Sequence, residues 1–472
     1  MADIVAYVPR MMRRAVAAAA VVVLVGACGG SSSDEREVLV DYSSDEVTMF
    51  LAQNFPKEVS VLPGQTLVFK QTWTGEPHTV TGGNFVTGKL NGGGKDLLVL
   101  FNTYDELKAQ NDDMVNPEDQ GDATVADFAN GIKRAEPKAM ADKVLALWEK
   151  VHSKYGWPDF DNPPTTPFSE LGEKIDHVAS EIFDQLLYAF DDEAGELAQN
   201  VSQPCFLAKG LPPKKPSNAC TTTQQKQPDF DGTQNFYNSG ILRYEGARGN
   251  TYRVPIAKDT KPGTYFFYCA VHGPGQLTEV NVQKPGTNVP SASAVRRQAL
   301  KEARKEALPL EQTYRDALRT GKTTVDGQQL SGPFAGLPTS VHGSINEFVP
   351  REIRAKANEP ITWKLIGAQH TISFDVPPYL PIIQFGKKVR QNPKIDKPAG
   401  GAPERQQGPD FDTPNSDVSR VDGGTYSGTG FWSTGVVGGG GTLEYTLRIS
   451  KKGTYSYACL IHPRMIGRVV VS

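Results

Sequence analysis

Apolar and polar residues alternate in short runs along most of this chain. The runs are bounded by Gly, Pro, Asn or Asp, the pattern of many short strands joined by turns. Such runs fall at 38–41, 58–62, 66–69 and 78–81, at 241–244, 251–256 and 263–270, and at 442–450 and 454–458, with a further short apolar run at 97–102. Between about 103 and 200 the period changes. Met140, Val144, Leu147, Trp148 and Val151 recur at helical spacing, as do Ile175, Val178, Ile182, Leu186 and Phe190. This stretch predicts an all-helical insertion in a chain that is otherwise mainly β. Residues 294–319, rich in Ala, Arg, Lys, Glu and Leu, predict a partly helical connection interrupted at Pro309, its charges forming a solvated face. The polar, Pro-, Gly- and Asp-rich stretch 387–430 predicts a long loop.

The strand pattern occurs twice. Phe55-Pro56 leads to Pro63-Gly64-Gln65-Thr66, and Phe348-Val349-Pro350 leads to Glu359-Pro360-Ile361-Thr362. His78 stands in Pro77-His78-Thr79-Val80, and His370 in Gln369-His370-Thr371-Ile372. Each half ends in a turn and a strand, Lys261-Pro262-Gly263-Thr264-Tyr265 before Cys269 and Lys452-Gly453-Thr454-Tyr455 before Cys459. Pro-Asp-Phe-Asp occurs at 228–231 and again at 409–412. Similarity over so long a period indicates two copies of one domain, not a small-period solenoid. His78 and Cys269 lie 191 positions apart and His370 and Cys459 only 89. The excess is about the size of the helical stretch, which therefore interrupts the first copy.

The chemistry lies at the ends of the last strands. Cys459, His462 and Met465 spell C-x-x-H-x-x-M, and Cys269 and His272 repeat its first part. Thiolate, two imidazoles and a thioether make a soft ligand set. It suits a copper ion shuttling between Cu(I) and Cu(II), with His₂Cys in a plane and Met as a long axial ligand. In the second copy the set is His370, Cys459, His462 and Met465; in the first it is His78, Cys269 and His272. No methionine follows His272: Gly275 holds the spacing of Met465, and Gln276 comes one position later.

On these residues both halves resemble cupredoxins, the plastocyanin–azurin–amicyanin family of blue-copper proteins, over roughly residues 37–84 with 202–285 and then 338–472. The resemblance implies two Greek-key β-sandwiches, the first carrying the large α-helical insertion. It implies one or two copper ions per chain and electron transfer to an unidentified redox protein. Some relatives use an axial Gln, which makes Gln276 the candidate fourth ligand of the first site; a three-ligand copper and a degraded site are the alternatives. The family further implies that the backbone amides of Thr79 and Thr371 contact the cysteine sulfurs. It also implies that electrons pass near His462, through an apolar patch with Pro463 and Ile466. Two other functions compete. Copper storage or delivery often uses Met- or His-rich tracts, and the chain has none. Multicopper oxidoreductases add H-x-H pairs or a histidine beside the copper cysteine; here Tyr268 and Ala270, and Ala458 and Leu460, flank the cysteines. An electron carrier is favoured over an enzyme.

The N-terminus sets the compartment. Arg10, Arg13 and Arg14 precede an apolar run at 15–25, too short to span a bilayer and suited to a signal-peptide core. It ends in Val25-Gly26-Ala27-Cys28, followed by Gly-Gly-Ser-Ser-Ser. This resembles a bacterial lipobox and implies cleavage before Cys28, lipidation of its sulfur and anchoring to the outer face of the cell membrane. An exported chain can form disulfides, and Cys205 and Cys220 would close a loop of about fifteen residues, worth roughly 3 kcal/mol in the chain-entropy account. The expected organisation is a signal peptide at 1–27, a tether at 28–36, a first domain at 37–285 with its insertion at about 103–200, a linker at 286–337 and a second domain at 338–472. With 50 basic against 53 acidic residues, no basic surface for nucleic acid is expected. Glu173, His177 and Glu181, at i, i+4 and i+8, read as surface ion-pairing residues rather than ligands.

Overall fold

The first half opens with a parallel pair. In the computed structural model, Glu35–Val40 lies beside Thr66–Gln71, which pairs on its other edge with Thr251–Pro255, while Asn54–Phe55 completes the sheet. The facing sheet runs Glu58–Val61, Gly273–Val282, Gly263–Cys269, Thr81–Gly82, Phe236–Ser239 and Pro204–Leu207. Val38, Leu67 and Phe69 from one sheet meet Val59, Phe267 and Val280 from the other in one buried core, so the half is a β-sandwich. The structure describes residues 34–42, 44–71, 76–108, 110–111, 114, 123–167, 190–191, 196–197, 204–210, 227–242, 250–325, 327–340, 343–367, 370–376, 383–384, 390–391, 418–435, 442–462 and 464–472. Cys28, Cys220, Glu173, His177 and Glu181, the second expected insertion helix and most of 387–430 lie outside them.

The second half is also a sandwich. One sheet orders Met49–Leu51, Gly343–Val349, Phe334–Ser340, Pro360–Leu365, Thr442–Ile449 and Val418–Tyr426. The other orders Glu352–Ala355, Ile466–Val471, Gly453–Ala458, Ser373–Phe374 and Trp432–Ser433. Trp363, Leu365 and Tyr445 face Phe374, Tyr457 and Val469 between them. The fold is mainly β, as the alternation predicts.

Helices begin at Asn84, ahead of the expected start near 103. Residues 97–102 sit inside the helix Lys95–Lys108, their apolar run facing a helical core and not a sheet. Val125–Arg134 starts at a reciprocal cap between Thr124 and Asp127, and Lys138–Tyr155 ends at Gly156, whose φ of 66° suits glycine. Trp148, Trp157, Phe160 and Phe128 fill the core of this insertion.

The two halves are joined by more than a linker. Ser33–Ser472 forms one compact unit. Met49–Leu51, early in the chain, pairs antiparallel with Gly343–Val349 of the second sandwich. Ala292–Thr320 is one continuous helix through Pro309, capped by the Ser291 hydroxyl and ended by Gly321. Ala299, Ala303, Ala307, Leu310 and Tyr314 form its buried stripe, packed with Met49, Leu51, Phe55, Phe334 and Ile345. The expected interruption at Pro309 does not occur: a missing N–H removes one ladder bond, and tertiary packing along the stripe holds the helix on both sides. Among the described residues, no helix is long and apolar enough to cross a membrane.

Candidate metal centres

Each cysteine is delivered by a strand end. Gly263–Cys269 pairs with Thr81–Gly82 (Tyr268 opposite Thr81), which brings the segment just before that short strand, with His78 and Thr79, alongside Cys269. In the second half Gly453–Ala458 pairs with Ser373–Phe374 (Ala458 opposite Ser373), bringing His370 and Thr371 to Cys459. The return loops carry the remaining histidines. The second loop is closed by backbone bonds from Cys459 N to the Met465 carbonyl (3.0 Å) and from Met465 N to the His462 carbonyl (2.9 Å).

Both triplets converge. The ligand atoms of His78, Cys269 and His272 lie within 4.8 Å of one another, as do those of His370, Cys459 and His462. Cys269 Sγ is 3.5 Å from His272 Nδ1 and 3.9 Å from His78 Nδ1. Cys459 Sγ is 3.4 Å from His462 Nδ1, which is 3.1 Å from His370 Nδ1. Donors about 2.0–2.3 Å from a shared first-row ion stand roughly 3.5 Å apart, so both triplets fit one ion without rearrangement. Softness and buried position of the donors fit copper.

The outer contacts repeat between the halves. Thr79 N donates to Cys269 Sγ (3.3 Å) and Thr371 N to Cys459 Sγ (3.4 Å). The Thr79 and Thr371 hydroxyls each accept, at 2.8 Å, the amide following the cysteine, of Ala270 and Leu460. Burial alone would raise both thiols. Close imidazoles, chiefly His272 at Cys269 and His462 at Cys459, reverse this and hold them well below the usual thiol range, so the sulfurs are ready as thiolates.

The fourth positions differ. Met465 is fully buried in the core beside Cys459. Gln276 is also fully buried; its Oε1 lies 3.1 Å from His78 Nδ1 and its amide nitrogen donates to Asn54 Oδ1 (3.3 Å). The strand histidines differ as well. His78 Nε2 meets the buried carboxylate of Asp41 at 3.2 Å. Burial pushes the His78 imidazole down, but Asp41 and Cys269 overcome this and lift it to about 10. Among the described residues His370 Nε2 is buried without a hydrogen-bond partner, and burial holds that imidazole below its ordinary value.

Sequence reasoning missed three residues here. Asp41 reaches His78 from 37 positions away. Phe50, on the strand that pairs with the second sandwich, lies over the first site with its ring centroid 4.8 Å from His272 and 5.8 Å from His78. Glu76 sets its Oε1 2.8 Å from His462 Nε2 and its Oε2 3.9 Å from His272 Nε2. Only Glu76 left a trace in the sequence, as an acidic residue two positions before a ligand histidine. Burial pushes the Glu76 carboxyl up, but His462, His272 and His78 prevail and bring it to about 2. His462, near which the family resemblance leads electrons to be expected to pass, is fully buried, with Glu76 of the first half against its Nε2. Ile466 is 53% exposed, and Pro463 lies outside the described residues. Cys205 is buried and disulfide-bonded; its expected partner Cys220 lies outside the described residues.

No family model matches this chain, and no curated protein does. Among solved structures, a reduced amicyanin mutant is 18% identical, covering 27% of this chain and 73% of its own, with a TM-score of 0.13. Oxidized plastocyanin from Dryopteris crassirhizoma is 16% identical over 27% and 91% of the two chains, at 0.13. Reduced auracyanin from the photosynthetic bacterium Roseiflexus castenholzii is 19% identical over 27% and 87%, at 0.14. At such identities and scores the likeness extends no further.

Proposed function

We propose that this chain is an exported electron carrier with two mononuclear copper sites of the blue type, His370, Cys459, His462 and Met465 in one and His78, Cys269, His272 and Gln276 in the other. The observation that carries this reading is the His₂Cys triplet, present twice, wholly buried in the second half and with only His272 partly exposed in the first, each with a backbone N–H directed at its sulfur. Copper, when bound, would supply one-electron chemistry. The protein's part is to hold the donors still. The threonine hydroxyls tie each cysteine loop to the neighbouring strand, and the Cys459–Met465 backbone bonds close the second loop. Cys459 and Cys269 would hold the ion through their thiolates and the histidines through Nδ1, with Met465 and Gln276 as fourth donors of different softness. That difference supports unequal potentials. A lipid on Cys28 would keep the chain at the outer face of the membrane, a Cys205–Cys220 disulfide would brace the first half, and a redox protein would be the partner.

Copper reconstitution of the chain tests this reading. The expected result is an intense visible thiolate-to-copper band and two coppers per chain, with one lost in Cys459→Ser and the other in Cys269→Ser. Absence of that band, or copper retained in the double variant, refutes it. Substituting Met465→Gln is expected to lower the potential of the second site while keeping the metal; an unchanged potential removes Met465 from the axial position.

A further inference from the structure

Each loop histidine turns Nδ1 toward its own cysteine and so directs Nε2 away from its own site. In this molecule both Nε2 atoms meet the same side chain. One oxygen of Glu76 is 2.8 Å from His462 Nε2 and the other is 3.9 Å from His272 Nε2, the first a hydrogen bond and the second within ion-pair reach. Glu76 is itself held on the first half, two residues before His78, and Gln71 Nε2 donates to its carbonyl at 3.1 Å. Its side chain is only 16% exposed, and His462 is wholly enclosed.

We infer that Glu76 couples the two metal centres, so that filling either one raises the affinity of the other. This rests on the reading that both triplets bind metal. An imidazole that ligates through Nδ1 must carry its proton on Nε2, and a carboxylate accepting that proton fixes tautomer and ring orientation together. The Glu76 carboxylate does this for His462, and its other oxygen stands within ion-pair reach of the His272 Nε2. When one ring is fixed by a metal, Glu76 is fixed with it, and its second oxygen is already oriented for the other ring. The ordering of Glu76 is then not repeated at the second binding event. Its negative charge also stands between two cationic centres and offsets their repulsion. By linkage the effect is equal in both directions.

Titration of the full chain with Co(II) tests this, read by the thiolate-to-cobalt absorption and so independent of electron transfer. Cys269→Ser gives the second site's affinity with the first unable to fill, and Cys459→Ser gives the reverse. Each affinity is expected to be about 5–150-fold weaker than at the same site in the wild-type chain when the other is loaded. Glu76→Gln, whose amide can accept at one atom only, is expected to weaken binding about 10–100-fold and to bring that ratio to one. Glu76→Asp is expected to restore part of the ratio. Altered folding alone would shift affinities without abolishing their dependence on each other. A ratio of one in the wild-type chain, or a ratio unchanged in Glu76→Gln, overturns the coupling while leaving both metal sites standing. If Glu76→Gln does not fold, the wild-type ratio against the two serine variants decides. Failure of either triplet to take Co(II) overturns the metal reading and this inference with it.

Discussion

At the scale of single residues, geometry around His370 gives a sharp prediction. Gly336 has φ of +77°, and a Cβ there would lie 2.3 Å from His370 Nε2 and 2.4 Å from the Ile366 carbonyl. Glycine is required both by the left-handed backbone and by the imidazole pressed against it. Gly336→Ala is expected to displace the His370 ring and to destabilise the chain by about 1–3 kcal/mol. Denaturant unfolding checks the stability, and loss of the second thiolate-to-metal band with retention of the first checks the displacement. A second prediction concerns Glu444, which lies 3.2 Å from Lys364 and 3.0 Å from Arg420. Burial raises this carboxyl, but the two cations outweigh burial and set it below its ordinary value of 4.5. A carboxyl lowered by folding stabilises above its unfolded pKa and loses that contribution as pH falls through the folded value. The contribution should be intact above about pH 4.5 and fade below it. Glu444→Gln is expected to flatten this acid limb of the stability curve, by under about 1 kcal/mol for a pair this close to solvent. The legibility of the site follows from the same distances. Cys459, His462 and Met465 are near in sequence, so their spacing is visible directly, and His370 is recognisable through the copy at His78. Glu76 meets His462 across 386 positions and Asp41 meets His78 across 37, and no local pattern encodes either meeting.

At the scale of elements, the helix Ala292–Thr320 shows why a connection can be misread. Its exposed face is dense in Arg, Lys and Glu, and its buried stripe is mostly alanine, which carries little hydrophobic signal. Small side chains are what the position requires, since the stripe lies against Leu39, Phe55 and Ile345. Ala303 is fully buried there. Ala303→Glu places an unpaired carboxylate in that contact and is expected to cost about 3 kcal/mol or more. The change should appear as a lowered urea midpoint for both halves together, because the stripe touches both. Two separated transitions, with only one shifted, would mean that the helix serves one sandwich alone. Residues 97–102 illustrate the opposite case: a run as apolar as a buried strand is helical because it extends through Tyr104 and Leu107 at helical spacing, beyond the window in which it was conspicuous.

At the scale of the whole molecule, the two β-sandwich halves are not independent bodies. Met49–Leu51 extends the sheet of the second sandwich, while its central residue Phe50 covers the histidines of the first site. Met49 and Leu51 are buried against Ile345 and Leu310, and each such side chain contributes roughly 1.5–3 kcal/mol on burial. A chain cut to 338–472 loses this strand, the long helix and the start of Phe334–Ser340. It is therefore expected to expose Ile345 and Val349, to aggregate and to give a poorly dispersed amide spectrum. A chain starting at Ala292 regains the helix and is expected to stay soluble but to remain less stable than the full chain by several kcal/mol. Supplying residues 44–56 in trans, or joined through a flexible linker, should recover most of that loss, read as the denaturant midpoint. A well-dispersed spectrum from 338–472 alone would mean that the borrowed strand is an ornament of the second sandwich, and the interlocking of the two halves would then have to be explained by the Glu76 contact and the helix without it.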